Sequence, residues 1–178
     1  MSHFSFIALV FLLCVTSSYA VKVADIGTIC NKATNPSFCI NLLKSKPDGA
    51  TGDLVSLTQH IIDVVRTDIK NTINLITKLN RQSSDPKTKT HYKNCLLYFG
   101  SNVGALSEVS EIQQHLKSGD YNIVNMRAGN IMFYVDLCIS GDAPGIPPFP
   151  DHSNLPKVAG VVIQVAQIIL ILSNFLLN

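Results

Sequence analysis

The chain has no tryptophan, and aromatic residues make up only 7% of its 178 positions. Leu, Ile, Ala, Asn and Lys are plentiful instead, a composition that favours helices over strands. Charge of either sign is also scarce. Fourteen Lys and Arg face 12 Asp and Glu for a net charge of +2. No basic run is interleaved with aromatics, so the electrostatic footprint of a nucleic-acid binder is missing. The sequence contains no Gly-x-Ser-x-Gly elbow, no phosphate loop and no dinucleotide fingerprint, which removes the commonest local signatures of nucleophilic and nucleotide chemistry. Beyond residue 20 there is no Asn-x-Ser/Thr sequon, so no N-linked glycan is expected.

Cysteines are few, and their placement is informative. They stand at 14, 30, 39, 95 and 138. Residues 4–15 form an apolar run that ends in Thr16-Ser-Ser-Tyr-Ala20, with small residues at Ser18 and Ala20. This is the layout of a secretory signal peptide over 1–20, cleaved after Ala20, with His3 in place of the usual basic residues. Cleavage discards Cys14 and leaves four cysteines in a chain bound for an oxidising compartment, so two disulfides and no free thiol are expected. Residues 21–178 are long enough to bury one core and read as a single domain.

Punctuation and periodicity give an all-α chain. Over 22–45, Asn35-Pro36 reads as an N-cap with proline at the first helical position, which folds the segment into a helical hairpin carrying Cys30 and Cys39. Lys46-Pro-Asp-Gly-Ala-Thr-Gly52 is a breaker-rich connection. From Asp53 to Asn80, Ile62, Val65, Ile69, Ile73, Ile76 and Leu79 recur at helical spacing. Asp85-Pro86 opens a second long helix whose stripe runs through Cys95, Phe99, Asn102, Leu106, Val109, Ile112 and Leu116, with Gly119 as its left-handed stop. A third carries Val124, Ala128, Ile131, Val135 and Cys138. The proline-rich stretch 141–154 cannot be helical, and a last helix begins near Leu155. The architecture expected over 53–177 is an antiparallel four-helix bundle.

The second cysteine pair supports this. Cys95 lies 24 residues before Gly119 and Cys138 lies 19 after it, so an antiparallel pairing brings both to nearly one level. A bridge there is worth about 4 kcal/mol in the chain-entropy picture, and one between Cys30 and Cys39 about 2.5 kcal/mol. Spacing alone leaves open the pairings that tie the hairpin to the bundle twice.

Val158–Leu177 is apolar enough to suggest a membrane span, or a removable tail with Ser153 or Gly160 at the attachment region. Lys157, Gly160, Gln164, Gln167, Asn174 and Asn178 nevertheless share one helical stripe, interrupted by Ile171, that a bundle helix would turn to water. No membrane contact is expected. Glu108, Glu111 and His115 share a face, but no second helix offers matching ligands, and a solvated surface is the expectation rather than a metal site. His60, His91 and His152 are scattered over expected surface or loop. Catalysis and cofactors are not expected, which leaves a binding surface as the seat of function.

Four motifs in order carry a resemblance. They are Ile26-x3-Cys30-x3-Thr34-x-Pro36-x2-Cys39-x2-Leu42, then Tyr92-x2-Cys95-Leu96-x-Tyr98, then Gly119-Asp120-Tyr121 with Arg127-Ala128 and Cys138, and finally Ser173-Asn174-x-Leu176. Over residues 24–177 the chain resembles the plant invertase and pectin methylesterase inhibitors. The resemblance implies the disulfides Cys30–Cys39 and Cys95–Cys138, export to the cell wall space, and one-to-one binding over the active-site cleft of a carbohydrate-active enzyme. Invertase inhibitors often carry Pro-Lys-Phe shortly before the third bundle helix; Gly119-Asp120-Tyr121-Asn122 stands there instead, which tilts the expected target towards pectin methylesterase, with cell-wall or vacuolar invertase as the alternative. A structural or membrane-anchored interaction module is the reading from another class. The helix after Tyr121 is less alanine-rich than usual, with Met126, Met132, Phe133 and Tyr134 in place of small residues, and the loop at 141–156 is long. Target contacts are expected from exposed polar residues of the helices at 53–80, 86–117 and 121–139, with none singled out.

Overall fold

Capping side chains set where each helix starts. The structure, a computed structural model, describes residues 25–47, 53–141 and 148–178, so the expected signal segment 1–20 and its cleavage point at Ala20 lie outside the described residues. Asp25 caps α1 (Ile26–Cys30), accepting the Gly27 N–H at 3.0 Å. Asn35 caps α2 (Pro36–Lys44), accepting the Phe38 N–H at 3.1 Å. Asp53 opens α3 (Leu54–Gln82) by accepting from Ser56 N–H at 2.7 Å, and Asp85 opens α4 (Pro86–Phe99) through Thr88 N–H at 2.8 Å. α5 (Ala105–Ser118) ends at Gly119, whose φ of 76° is the left-handed stop read from the sequence. Asp120 then caps α6 (Tyr121–Ser140), and α7 (Leu155–Leu177) closes the chain.

The Cys30–Cys39 disulfide ties α1 to α2 as a hairpin, with Cα atoms 5.5 Å apart. The bundle is a ring of four members, one of them α4 and α5 in succession: α3 packs on α4, α5 and α7, and α6 packs on α4, α5 and α7. Its core is filled by the expected stripes, including Ile62, Val65 and Ile69 of α3, Val109 and Ile112 of α5, and Ala128, Ile131 and Val135 of α6.

One expected helix is two. The run from 86 to 117 breaks at 100–104, where Gly104 adopts φ 135°. Asn102, placed on the buried stripe by periodicity, is exposed in this break. A Cβ at Gly104 would lie 2.4 Å from the Tyr98 carbonyl oxygen, so only glycine lets the chain pass that close. The break also repairs the register. Cys95 sits five residues further from Gly119 than Cys138 does, and the break takes up five residues outside either helix. The two cysteines meet at a Cα separation of 4.8 Å in a disulfide between α4 and α6.

The last helix is long and apolar enough to cross a membrane. It packs between α3 and α6, burying Val162, Val165, Ile168, Ile169 and Leu172. Its polar stripe departs in part from expectation: Gln164 and Gln167 are half-buried and bond to the α1–α2 hairpin, and Ile171 within the stripe is buried.

Candidate functional site

The inner face of α6 is fixed to its neighbours on every side. Cys138 is cross-linked to α4, and the Asn125 side-chain amide donates to the Leu170 carbonyl at 3.0 Å and to Ser173 Oγ at 2.9 Å on α7. On the α5 side, Arg127 pairs with Glu108 at 3.2 Å and reaches Glu111 at 3.9 Å, while Asn130 donates to Glu108 at 3.3 Å. Glu108 is therefore not on a solvated face, as its spacing with Glu111 and His115 suggested. Its carboxylate is buried and answered by a guanidinium from the next helix, the condition under which a buried charge is tolerated. His115 lies near Glu111 and 3.6 Å from Asp120 at the C-terminal end of α5, where a helix dipole favours positive charge.

A helix held this firmly presents its outer face without rearrangement. Asn122, Met126, Gly129, Phe133, Asp136 and Ser140 recur at spacings of three and four along it. Met126 is 49% exposed and Phe133 59%, two turns apart on the same face. Between them a Cβ at Gly129 would meet nothing within 4 Å, so the stripe has an open notch at its middle. Of the four large residues noted in this helix, Met126 and Phe133 point outward, whereas Met132 and Tyr134 pack against the core. The outer face of this helix therefore carries an exposed apolar pair flanked by short polar side chains.

The histidines separate similarly. His60 reaches Ser45 Oγ of the hairpin at 3.2 Å, and His152 is exposed. His91 is not loose surface: its side chain is 12% exposed, stacks on Phe149 with ring centroids 4.3 Å apart, and lies 3.5 Å from Asp151. Asp151 also accepts from the Tyr92 hydroxyl at 3.3 Å, and burial, reinforced by that carboxylate, holds the Tyr92 phenol above its ordinary range. Beside this cluster runs a groove of about 570 Å³ between α4 and α6, with the Cys95–Cys138 bridge in its wall. Neither this cluster nor the Glu108–Arg127 pair had a local signal in the sequence, because the partners are 60 and 19 residues apart. Among the described residues, no three His, Cys, Asp or Glu side chains gather as a metal site.

Fold and surface together define a disulfide-tied helical bundle with an exposed, partly apolar outer face on α6. Comparison with known proteins gives the family. Residues 24–160 match the model described as plant invertase/pectin methylesterase inhibitor, and the chain belongs to that family. It is 32% identical over 151 residues to a protein of Actinidia deliciosa named pectinesterase inhibitor, covering 85% of this chain and 78% of the relative. Pectinesterase inhibitor 1 of Arabidopsis thaliana is 33% identical over 132 residues, covering 74% and 72%. The fold superposes on the crystal structure of a mutant form of a pectin methylesterase inhibitor from Arabidopsis with a TM-score of 0.72 at 26% identity, over 85% of this chain and 96% of that one. A second crystal structure of a pectin methylesterase inhibitor from Arabidopsis thaliana gives 0.62 over 85% and 95%.

Proposed function

We propose that this chain is a secreted inhibitor of pectin methylesterase that binds the enzyme one to one and occludes its active-site cleft. The observation that carries the reading is the similarity, above 30% identity over more than 70% of both chains, to two proteins named as pectinesterase inhibitors. The geometry supports the same mechanism. A face pre-ordered by a disulfide and by ion pairs behind it loses little conformational entropy on docking. The exposed Phe133 and Met126 supply the apolar anchors on which interface energy usually concentrates. Export belongs to the same proposal: residues 1–20 act as a signal peptide cleaved after Ala20, residues 21–178 form the single inhibitor domain, and the protein works outside the cell. The missing Pro-Lys-Phe tripeptide and the names of the relatives both favour pectin methylesterase over invertase.

The test is a titration of purified mature protein into a plant pectin methylesterase, followed by methanol release, beside an invertase assay with the same preparation. Methanol release should fall to near zero at a one-to-one ratio while sucrose hydrolysis is unchanged. Inhibition of invertase alone would reverse the target, and inhibition of neither would sink the proposal. Sequencing the N-terminus of the secreted protein checks the export claim, with Val21 as the expected first residue.

A further inference from the structure

The segment 148–154, which leads into α7, is held against α4 by side chains that include Phe149, Asp151 and Ser153. The Phe149 ring lies flat on the His91 imidazole, with an interplanar angle of 19°. The Asp151 carboxylate divides its two oxygens. Oδ1 accepts from the Ser153 N–H at 2.8 Å and from the Tyr92 hydroxyl. Oδ2 is buried with no hydrogen-bond partner among the described residues, and His91 Nε2 stands 3.5 Å from it. The same Nε2 is 3.8 Å from Cys95 Sγ, so the imidazole sits between the carboxylate and the disulfide.

We propose that residues 148–154 form a pH-sensitive strap over the groove beside the Cys95–Cys138 bridge, latched while His91 is charged and loosened when it is neutral. Histidine is the side chain whose charge ordinarily changes between about pH 5 and 8. The imidazolium offers the buried Asp151 oxygen a counter-charge and a cationic face to Phe149. Deprotonation removes both, and a buried carboxylate without a counter-charge is costly. The sign follows: the latch is strongest on the mildly acidic side and weakens as pH rises through the titration of His91. The other groups near it do not duplicate this switch. On α4, Tyr92 donates to Asp151, while Lys87 and Tyr98 line the same groove. α6 contributes Leu137, Cys138 and Gly141 to the opposite wall, none of which titrates. His152 lies in the strap but is exposed. Loosening would widen the groove along the disulfide and free the chain entering α7.

Hydrogen exchange at the Ser153 amide, which donates to Asp151, reads the latch in the unmodified mature protein. After correction for intrinsic exchange, its protection should fall at least tenfold between pH 5 and 8, while core amides of α6 change less than twofold. His91→Gln should abolish the pH dependence, and His152→Gln should keep it. A second reading uses the absence of tryptophan from the chain. In Phe149→Trp the single indole on His91 should show fluorescence that titrates with His91, and acrylamide quenching at least twofold stronger above the midpoint. Asp151→Asn should move that midpoint to lower pH. Ser153 protection independent of pH, or a pH dependence that survives His91→Gln, would overturn the proposal.

Discussion

Thr34 and Gln167, 133 residues apart, hold each other through two hydrogen bonds: the Thr34 N–H donates to Gln167 Oε1 at 3.1 Å, and Gln167 Nε2 donates to Thr34 Oγ1 at 2.8 Å. One turn earlier on α7, Gln164 accepts from the Asn35 side-chain amide at 3.3 Å. The hairpin is thus clipped to the last helix at the turn between its two cysteines. Each such bond contributes about 0.5–1.5 kcal/mol net. Changing Gln164 and Gln167 together to Lys should therefore weaken hairpin docking by about 2 kcal/mol and leave the bundle folded. Amide exchange should speed up across 26–44 and hardly change in α3 and α6. Unchanged hairpin protection would show that apolar packing alone holds it.

Gly104 and Gly129 should respond to alanine with opposite signs. At 104 the positive φ and the Tyr98 carbonyl at 2.4 Å leave no room for a Cβ, and the expected loss is at least about 2 kcal/mol. At 129 the helix surface is open, and alanine should stabilise by about 0.4–1 kcal/mol. Urea unfolding of both variants checks the pair; a neutral Gly104→Ala would mean the break can reshape.

Legibility in the sequence followed the range of the interactions. Helix starts at Asn35, Asp53 and Asp85 and the stop at Gly119 were readable, because a cap and its target are two or three residues apart. The α4–α5 break escaped because Phe99 and Leu106, on either side of it, both fall on the apolar stripe, so periodicity runs across the gap. Only the glycines at 100 and 104 and the five-residue mismatch between the cysteines hinted at it. The outward turn of Gln164 holds only in part, because polarity says that a face avoids hydrocarbon, not whether water or a polar hairpin covers it. The exposed face of α6 was least legible. Phe133 and Tyr134 are neighbours of like chemistry, and only the packing of α6 on α5 and α7 decides which one is exposed.

Arg127→Met should cost about 2–3 kcal/mol, below the 3–5 expected for breaking a fully buried pair because Arg127 remains 30% exposed. The loss comes from stranding the Glu108 carboxylate. Adding Glu108→Gln should recover more than half of it, since the amide needs no counter-charge and keeps Asn130 nearby. A double-mutant cycle by thermal unfolding measures this, and strict additivity would show that the pair is not coupled.

Asp68 of α3 is the described carboxylate whose environment disfavours its charge, with burial raising its pKa above the ordinary value. A raised carboxylate pKa makes the native state bind more protons than the unfolded chain just above the ordinary range. The charge therefore costs stability at neutral pH, and the cost fades as pH falls below that range. Asp68→Asn should raise the melting temperature slightly at pH 7, by no more than about 0.5 kcal/mol in stability given its partial exposure, with no gain near pH 3. A gain that persists at pH 3 would assign the effect to packing.

The contact role proposed for the outer stripe of α6 can be tested without disturbing the core. Phe133 is exposed and rests on a helix anchored elsewhere, so Phe133→Asp should change stability by less than about 0.5 kcal/mol. Placed at an interface, the same change removes an aromatic anchor and inserts a charge, and losses of about 1.4–2.7 kcal/mol correspond to a 10- to 100-fold rise in the inhibition constant. Met126→Asp, two turns away, should act in the same direction with smaller effect. Ala128→Asp is the contrasting case: Ala128 is fully buried, so the unpaired charge should unfold the protein and remove inhibition for a different reason, visible in circular dichroism. The deciding measurement is inhibition of pectin methylesterase by folded Phe133→Asp. Full potency in that variant would move the contact surface off this face of α6, whatever the family resemblance implies.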